Sequence, residues 1–166
     1  PTSCIEWEAA VDEGKKLDLR VVKLRLGILL TRKGGALAEL EKPVKYFVGA
    51  PLGDGKQWMP WIHYKDLIQI FDEAVADGTY NDVYNAVAPN AVTNKTFTKI
   101  LCEVLKRPMW PINVPKFIMK AIMGERAEIV LMSTNAIPKN LSDRNFSFKF
   151  PHLKEALEEL YYEENR

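Results

Sequence analysis

Apolar positions along this chain change period several times, and each change predicts an element. Residues 3–16 carry Ile5, Trp7, Ala9, Ala10 and Val11 among Glu and Lys, with Gly14 near the end. That spacing predicts a short helix with one buried face. Residues 20–30, Arg-Val-Val-Lys-Leu-Arg-Leu-Gly-Ile-Leu-Leu, are almost continuously apolar. Such a run predicts a strand inside a parallel sheet, with neighbours on both edges and helices on both faces. Arg32-Lys33-Gly34-Gly35 reads as a turn, 36–42 as a helix and 44–49 as a short strand. Gly and Pro make 50–55 a loop. Residues 58–64 are aromatic and β-prone, with Pro60 confining them to an edge or a bulge.

Helical spacing returns at Leu67, Ile68, Ile70, Phe71, Ala74 and Val75, and Gly78 lies just past its end. Residues 83–87 read as another strand. Thr93 and Asn94 can cap a helix running to about Leu105. After Pro108 the texture shifts. Residues 109–140 are helix and loop rich in Met, Ile and Pro, 141–150 alternate weakly, and 152–163 form a closing amphipathic helix. The rhythm is βα first and helical later, so the expected division is 1–108 and a small segment 109–166.

Only one helix precedes the buried strand, and the chain opens on Pro1 with no initiator Met. The expectation is therefore the C-terminal part of a longer α/β protein, with its catalytic centre encoded upstream. At 47% hydrophobic residues the chain can bury a core, and a net charge of +1 gives no broad case for nucleic acid or an anionic membrane. No apolar run reaches the length of a membrane span, and the N-terminus lacks a signal-peptide pattern. Cys4 and Cys102 make neither a disulfide framework nor a metal spacing, so they read as reduced thiols in the cytoplasm.

Candidate chemistry is sparse. Gly53-x-Gly55 is not a dinucleotide fingerprint, because Trp58 stands where the third glycine belongs and a strand follows. Gly34-Gly35 before a helix could hold a phosphate on free N–H groups; an ordinary turn is the preferred reading. Arg25, in a hydrophobic strand, either pairs with a carboxylate or faces a ligand. His63 has no Ser, Cys or metal partner in view and reads as a hydrogen-bonded structural histidine. Asp66 falls at a helix start, where a carboxylate satisfies orphan N–H groups and the dipole. Gln57 and Trp58, in a loop before a strand, are the better candidates to touch a ligand. Residues 85–94, opening on Asn85, join a strand to a helix, a place for turns and also for sites.

Several segments occur together in order: Arg25-Leu26-Gly27-Ile28-Leu29-Leu30, Gly34-Gly35-Ala36-Leu37, Gly49-Ala50-Pro51-Leu52-Gly53-Asp54-Gly55-Lys56-Gln57-Trp58, Trp61-Ile62-His63 with Asp66-Leu67, and Asn85-Ala86-Val87-Ala88-Pro89 with Thr93-Asn94 and Phe97. The set resembles the epimerase-like branch of the extended short-chain dehydrogenase/reductase superfamily, NAD-dependent epimerase/dehydratase-like and sometimes labelled cell-division inhibitor. Trp7-Glu8-Ala9-Ala10 is similar to the helix after that branch's active-site tyrosine. Gly124-Glu125, Ile137-Pro138, Leu141, Phe146, Phe148 and Pro151 are similar to its small C-terminal domain. Asn145 stands where the family usually has Gly, and Asn tolerates left-handed geometry.

The resemblance implies an α/β fold: the C-terminal part of a Rossmann-like, doubly wound parallel sheet plus a small, mostly helical C-terminal domain. It implies NAD or NADP in the full-length parent, with Leu26, Gly27 and Ile28 near the nicotinamide. Gln57, Trp58 and Met59 would line a small-molecule substrate of nucleotide-sugar type, and Arg25, His63, Asp66 and Asn85 would serve structure beside the site. The family's glycine-rich loop, its NAD/NADP-selecting residue and its Tyr-x-x-x-Lys have no match here: none of the six tyrosines has a lysine four positions on. The chain itself is thus expected to bind no cofactor, hold no metal and catalyse nothing alone. A non-catalytic nucleotide- or protein-binding scaffold and a free-standing interaction module remain open. Partners expected are the substrate and either a second copy or the missing N-terminal half, with no nucleic acid and no membrane.

Overall fold

The computed structural model describes residues 2–115 and 133–163. Helix α1 spans Thr2–Asp12 and runs into a 3-10 turn, Glu13–Leu17. Two short strands follow, β1 (Lys23–Leu26) and β2 (Ile28–Leu30), then helix α2 (Gly35–Lys45). Strands β3 (Trp58–Met59) and β4 (Trp61–His63) lead into helix α3 (Tyr64–Ala76). Strands β5 (Val83–Ala86) and β6 (Val92–Thr93) precede helix α4 (Asn94–Val104). Helices α5 (Lys139–Asp143) and α6 (Leu153–Glu158) close the chain, with a π turn over Glu159–Glu163. The helix-and-loop expectation for 109–140 falls partly on residues 116–132, and Gly124-Glu125 with it, outside the described residues.

The single strand expected over 20–30 is two strands with different partners. β1 pairs in parallel with β5, and β2 pairs in parallel with β4. Gly27 is the switch. Its N–H donates to Ala86 O at 3.3 Å, and the next amide, Ile28, donates to Pro60 O at 2.7 Å. On the other side of β4, Ala88 N–H donates to Trp61 O at 2.6 Å. β1 and β5 therefore part like a fork, with Pro60-Trp61 wedged between their continuations. A Cβ at Gly27 would lie 2.7 Å from Pro60 O, so only glycine lets the two backbones approach.

Other differences have local causes. Arg20 is not in the strand; its guanidinium donates to the carbonyls of Ala74 at 2.6 Å, Val75 at 3.1 Å and Tyr80 at 3.1 Å, closing the C-terminal end of α3. Residues 44–49 are not a strand. Val44 is buried with Leu37 on the face of α2, so the helix continues through it and ends in a Schellman turn. In that turn Val48 N–H reaches Pro43 O at 2.9 Å and Phe47 takes φ 63. Helix α1 lacks the buried face its spacing suggested. Ile5 and Trp7 are 69% and 70% exposed, and the helix is tied to β1 by ion pairs, Glu8 to Arg25 and Asp12 to Lys23. Asn145 does adopt the left-handed conformation, φ 58, as its substitution for glycine requires.

Two apolar clusters hold the layers. One joins Leu30, Leu37, Trp61, Phe97 and Leu101 to Leu153, Leu157 and Leu160 of the C-terminal segment. The other joins Ile62, Ile70, Tyr80 and Tyr84 to Leu141 and Phe146. Residues on both sides of 108 thus share cores, and the C-terminal segment covers α3, β4 and α4. We expect Gly27→Ala to lower stability by about 1–3 kcal/mol, the range for overpacking, through clash with Pro60. Urea unfolding measures it, and an unchanged midpoint would show that the fork is not constrained there.

Candidate functional site

Ligands of open α/β folds bind outside the carboxyl ends of the strands, where neighbouring connections diverge. Here that place is the fork at Gly27 and Ala86. Leu26, last in β1, is 51% exposed and presents an apolar side chain. The amides of Gly27 and Ile28 are already spent on Ala86 O and Pro60 O, so they cannot donate to a ligand. A nicotinamide could rest against Leu26 by apolar contact. Among the described residues no strand-to-helix turn carries the G-x-G-x-x-G spacing that cradles a pyrophosphate. The residues present therefore fit one end of a dinucleotide and not the whole.

Gln57, Trp58 and Met59 lie one residue before the wedge. Trp58 and Met59 form β3, antiparallel to β6, so Trp58 is in a strand and not in a loop. Gln57 and Met59 turn inward, 6% and 5% exposed, and Trp58 faces out at 38%. Gln57 Nε2 donates to Leu52 O at 3.1 Å, whereas its Oε1 is buried with no donor. A buried acceptor without a partner costs about 1–3 kcal/mol.

His63 is fully buried at the end of β4 and caps α3. Its Nδ1 accepts from Lys65 N–H at 3.2 Å, and a backbone amide can only donate, so the ring proton sits on Nε2. Nε2 then donates to Glu159 Oε2 at 2.9 Å. Glu159, 5% exposed, also pairs with the Lys65 ammonium. Burial pushes the His63 pKa below its ordinary value, outweighing the pull of Glu159. The imidazole rests on Phe150, ring centroids 4.0 Å apart. This histidine is saturated on both nitrogens by protein.

Asp66 is fully buried and does not bond its own helix N-terminus. Its carboxylate accepts from Lys149 N–H at 2.8 Å and Phe150 N–H at 3.1 Å, so the orphan amides it satisfies belong to the C-terminal segment. Thr93 caps α4, its Oγ1 accepting from Thr96 N–H at 3.4 Å. Arg25 forms a two-pronged pair with Glu8, both contacts 2.7 Å, and each partner stabilises the other's charge. Asn85, opposite Arg25 in the β1–β5 register, donates to Ile137 O at 3.0 Å. Gly34 and Gly35 take φ 116 and 77 in the turn before α2.

The fold thus brings Leu26–Ile28 and Gln57–Met59 to the two sides of the Pro60 wedge. Arg25 and Asn85 sit together on the β1–β5 pair, and His63 and Asp66 both tie α3 to the C-terminal segment. Two residues to which the sequence reading gave no place among the site residues are central to the arrangement. Glu159 looked like one more acid on the closing helix. Asn94 looked like a cap, but it is fully buried with its carboxamide on Leu52 N–H at 2.7 Å. Spacing alone carried no signal for either. Among the described residues no group of acidic, histidine and cysteine side chains could hold a metal, and no helix is long and apolar enough to cross a membrane.

Known proteins place this geometry. The chain is 40% identical over 154 residues to an epimerase family protein SDR39U1 homolog, chloroplastic, from Arabidopsis thaliana, covering 93% of this chain and 44% of the relative. Its relatives are epimerase family proteins. A second epimerase family protein, from Staphylococcus aureus MRSA252, is 34% identical over 157 residues, with 93% and 51% covered. The crystal structure of human epimerase family protein SDR39U1 with NADPH superposes at TM-score 0.79 with 34% identity, covering 85% of this chain and 48% of that one. UDP-glucose 4-epimerase from Thermus thermophilus in complex with NAD shares the fold, TM-score 0.66 at 14% identity. Residues 114–160 match a domain of unknown function, DUF1731. The chain spans about half the length of the epimerase family relatives it matches, and its α/β architecture is the C-terminal part of their Rossmann-type fold.

Because the folded His63 pKa lies below the unfolded value, the unfolded chain binds the proton more readily. Stability from this group is complete above about 6.5, the ordinary histidine value, and declines as pH falls from there toward the folded pKa. His63→Asn is expected to lower the melting temperature at neutral pH and to flatten this part of the profile. Unchanged stability with altered ligand binding would overturn the structural assignment. Gln57→Met removes the orphan acceptor together with one hydrogen bond, so the urea midpoint is expected to stay level or rise. A fall larger than the roughly 0.5–1.5 kcal/mol of the one lost hydrogen bond would show that Oε1 is satisfied in solution.

Proposed function

We propose that this chain is the substrate-side portion of an NAD(P)-dependent epimerase/dehydratase-like oxidoreductase acting on a nucleotide sugar or a similar hydroxylated small molecule. The observation that carries the reading is the fork at Gly27. There the carboxyl end of β1, with Leu26 exposed, meets the Gln57–Met59 segment across a single proline. The human relative's structure with NADPH supports a dinucleotide in this family.

In this reading Leu26, Gly27 and Ile28 border the nicotinamide, and Gln57, Trp58 and Met59 border the substrate. Arg25, His63, Asp66 and Asn85 keep these segments in place. NAD or NADP, when bound, accepts or donates hydride. The chain's part is to bind and orient the substrate and to exclude water. The pyrophosphate loop and the acid–base pair come from polypeptide outside these residues, so the chain alone is inactive. Its 1–108 segment completes a nucleotide-binding domain and its 109–166 segment walls the substrate side. We place the protein in the cytoplasm, where Cys102 stays reduced, unlike the chloroplastic relative from Arabidopsis thaliana.

The reading also requires a partner for β1. Among the described residues β1 has a strand on one edge only, and α1 beside it leaves Trp7 and Ile5 exposed. An unpaired edge is a template for another strand, and the polypeptide that makes the relatives twice as long is the fitting one.

The test is titration with NADPH, followed by nicotinamide fluorescence, of the chain alone and after mixing with a separately produced N-terminal half. No saturable binding alone and binding after mixing is expected. Saturable binding and turnover by the chain alone would overturn the division of labour. Association of the halves without NADPH binding would favour a non-catalytic scaffold.

A further inference from the structure

Trp58 is held outward by a two-residue ladder, which is too short to fix its own register. β3 pairs Trp58 with Thr93 and Met59 with Val92, and nothing longer. A one-residue slip in such a pair would turn Trp58 inward and its neighbours outward, because side chains alternate along a strand. Something else must lock the register, and the contacts around Asn94 do so. Its backbone N–H donates to Gln57 O at 2.9 Å. Its Oδ1 accepts from Leu52 N–H at 2.7 Å, and its Nδ2 lies 3.3 Å from Met59 Sδ. Gln57 Nε2 closes the ring by donating to Leu52 O. Each residue of the ring Gln57–Leu52–Asn94 gives one hydrogen bond and takes one. The residues on both sides of Trp58 are thereby pinned inward to one buried carboxamide residue.

We propose that Asn94 is the positioning residue that keeps the Trp58 indole presented to the ligand. The inference rests on the substrate-side reading of the Gln57–Met59 segment and adds which side chain meets the ligand. Of the three, Gln57 and Met59 are anchors and Trp58 is the contact. An indole fixed on a strand offers a flat π face, which suits a ring that stacks: the apolar face of a sugar, or a base. A charged phosphate gains nothing there. Asn94 itself touches no ligand and acts through the register of β3.

The experiment is fluorine NMR of protein carrying 5-fluorotryptophan at its four tryptophans, 7, 58, 61 and 110, each line assigned by Trp→Phe substitution. Asn94→Ala is expected to shift or split the Trp58 line and leave the Trp61 and Trp110 lines where they are. Asn94→Asp keeps the acceptor for Leu52 N–H but loses the donor to Met59, so it should bring Trp58 back part of the way. If Asn94→Ala does not fold, Asn94→Asp gives the decision on its own, by a shift confined to Trp58. A Trp58 line unmoved in a folded variant, or all four lines moving together, overturns the proposal. Addition of UDP-glucose to the protein assembled with its N-terminal half separates the two claims. A Trp58 line that responds to Asn94→Ala but not to UDP-glucose leaves Asn94 as the register lock and counts against the nucleotide-sugar reading.

Discussion

The constraint on which the rest depends is the close approach of Gly27 to Pro60. Glycine is needed for it. Glycine removes the Cβ that would collide with the carbonyl. Proline has no N–H, so its position cannot continue a ladder on its own donor, yet its carbonyl still accepts from Ile28 at 2.7 Å. The result is a partner exchange in the space of one residue: β1 on β5 before it, β2 on β4 after it. That exchange brings the end of β1 beside the segment before Pro60. A straight strand over 20–30 would have kept them apart.

A second set of contacts keeps the fork closed from behind. Arg144 bonds Asp77 at 2.6 Å and lies 3.9 Å from the Tyr80 ring centroid at one end of α3. Asp66 holds the amides of Lys149 and Phe150 at the other end, and Glu159 bridges His63 and Lys65 beneath. Farther on, Tyr161 bonds Glu41, and burial pushes its phenol well above the usual range. The C-terminal segment is therefore strapped along α3 by charged and polar groups set over two apolar cores. The strap thus ties the geometry of β4 to the C-terminal residues far away in sequence.

Much of the fold was legible because its elements are long and periodic. Helix 65–76 and the strand near 83–87 followed directly from spacing, and Thr93 from cap chemistry. What could not be read has a common cause: it is fixed by contacts distant in sequence. A continuous apolar run cannot report that its middle glycine changes partners, since the reason is the carbonyl of residue 60. Asp66 at a helix start could not reveal that its acceptors serve residues 149 and 150. Helix α1 misled in the opposite sense. Its apolar residues suit a buried face, but the described residues supply only Arg25 and Lys23 to meet it. For the site, Gln57, Trp58 and Met59 were legible as candidates, whereas their alternation was not, because the loop expected at Gln57 and Trp58 is a strand edge held by contacts with residues 92–94.

The electrostatics of the described residues say where the chemistry is. Several ionisable groups around the fork are paired within the fold: Arg25 with Glu8, Lys65 and His63 with Glu159, Asp66 with two backbone amides. A general acid or base must be free to exchange a proton with substrate. His63 cannot gain one at Nδ1 without giving up the Lys65 amide, and Asp66 cannot without releasing the C-terminal segment. Leu26 and Trp58 face outward with apolar surface. In the proposed reading such a surface orients a ring, and proton transfer falls to groups other than His63 and Asp66.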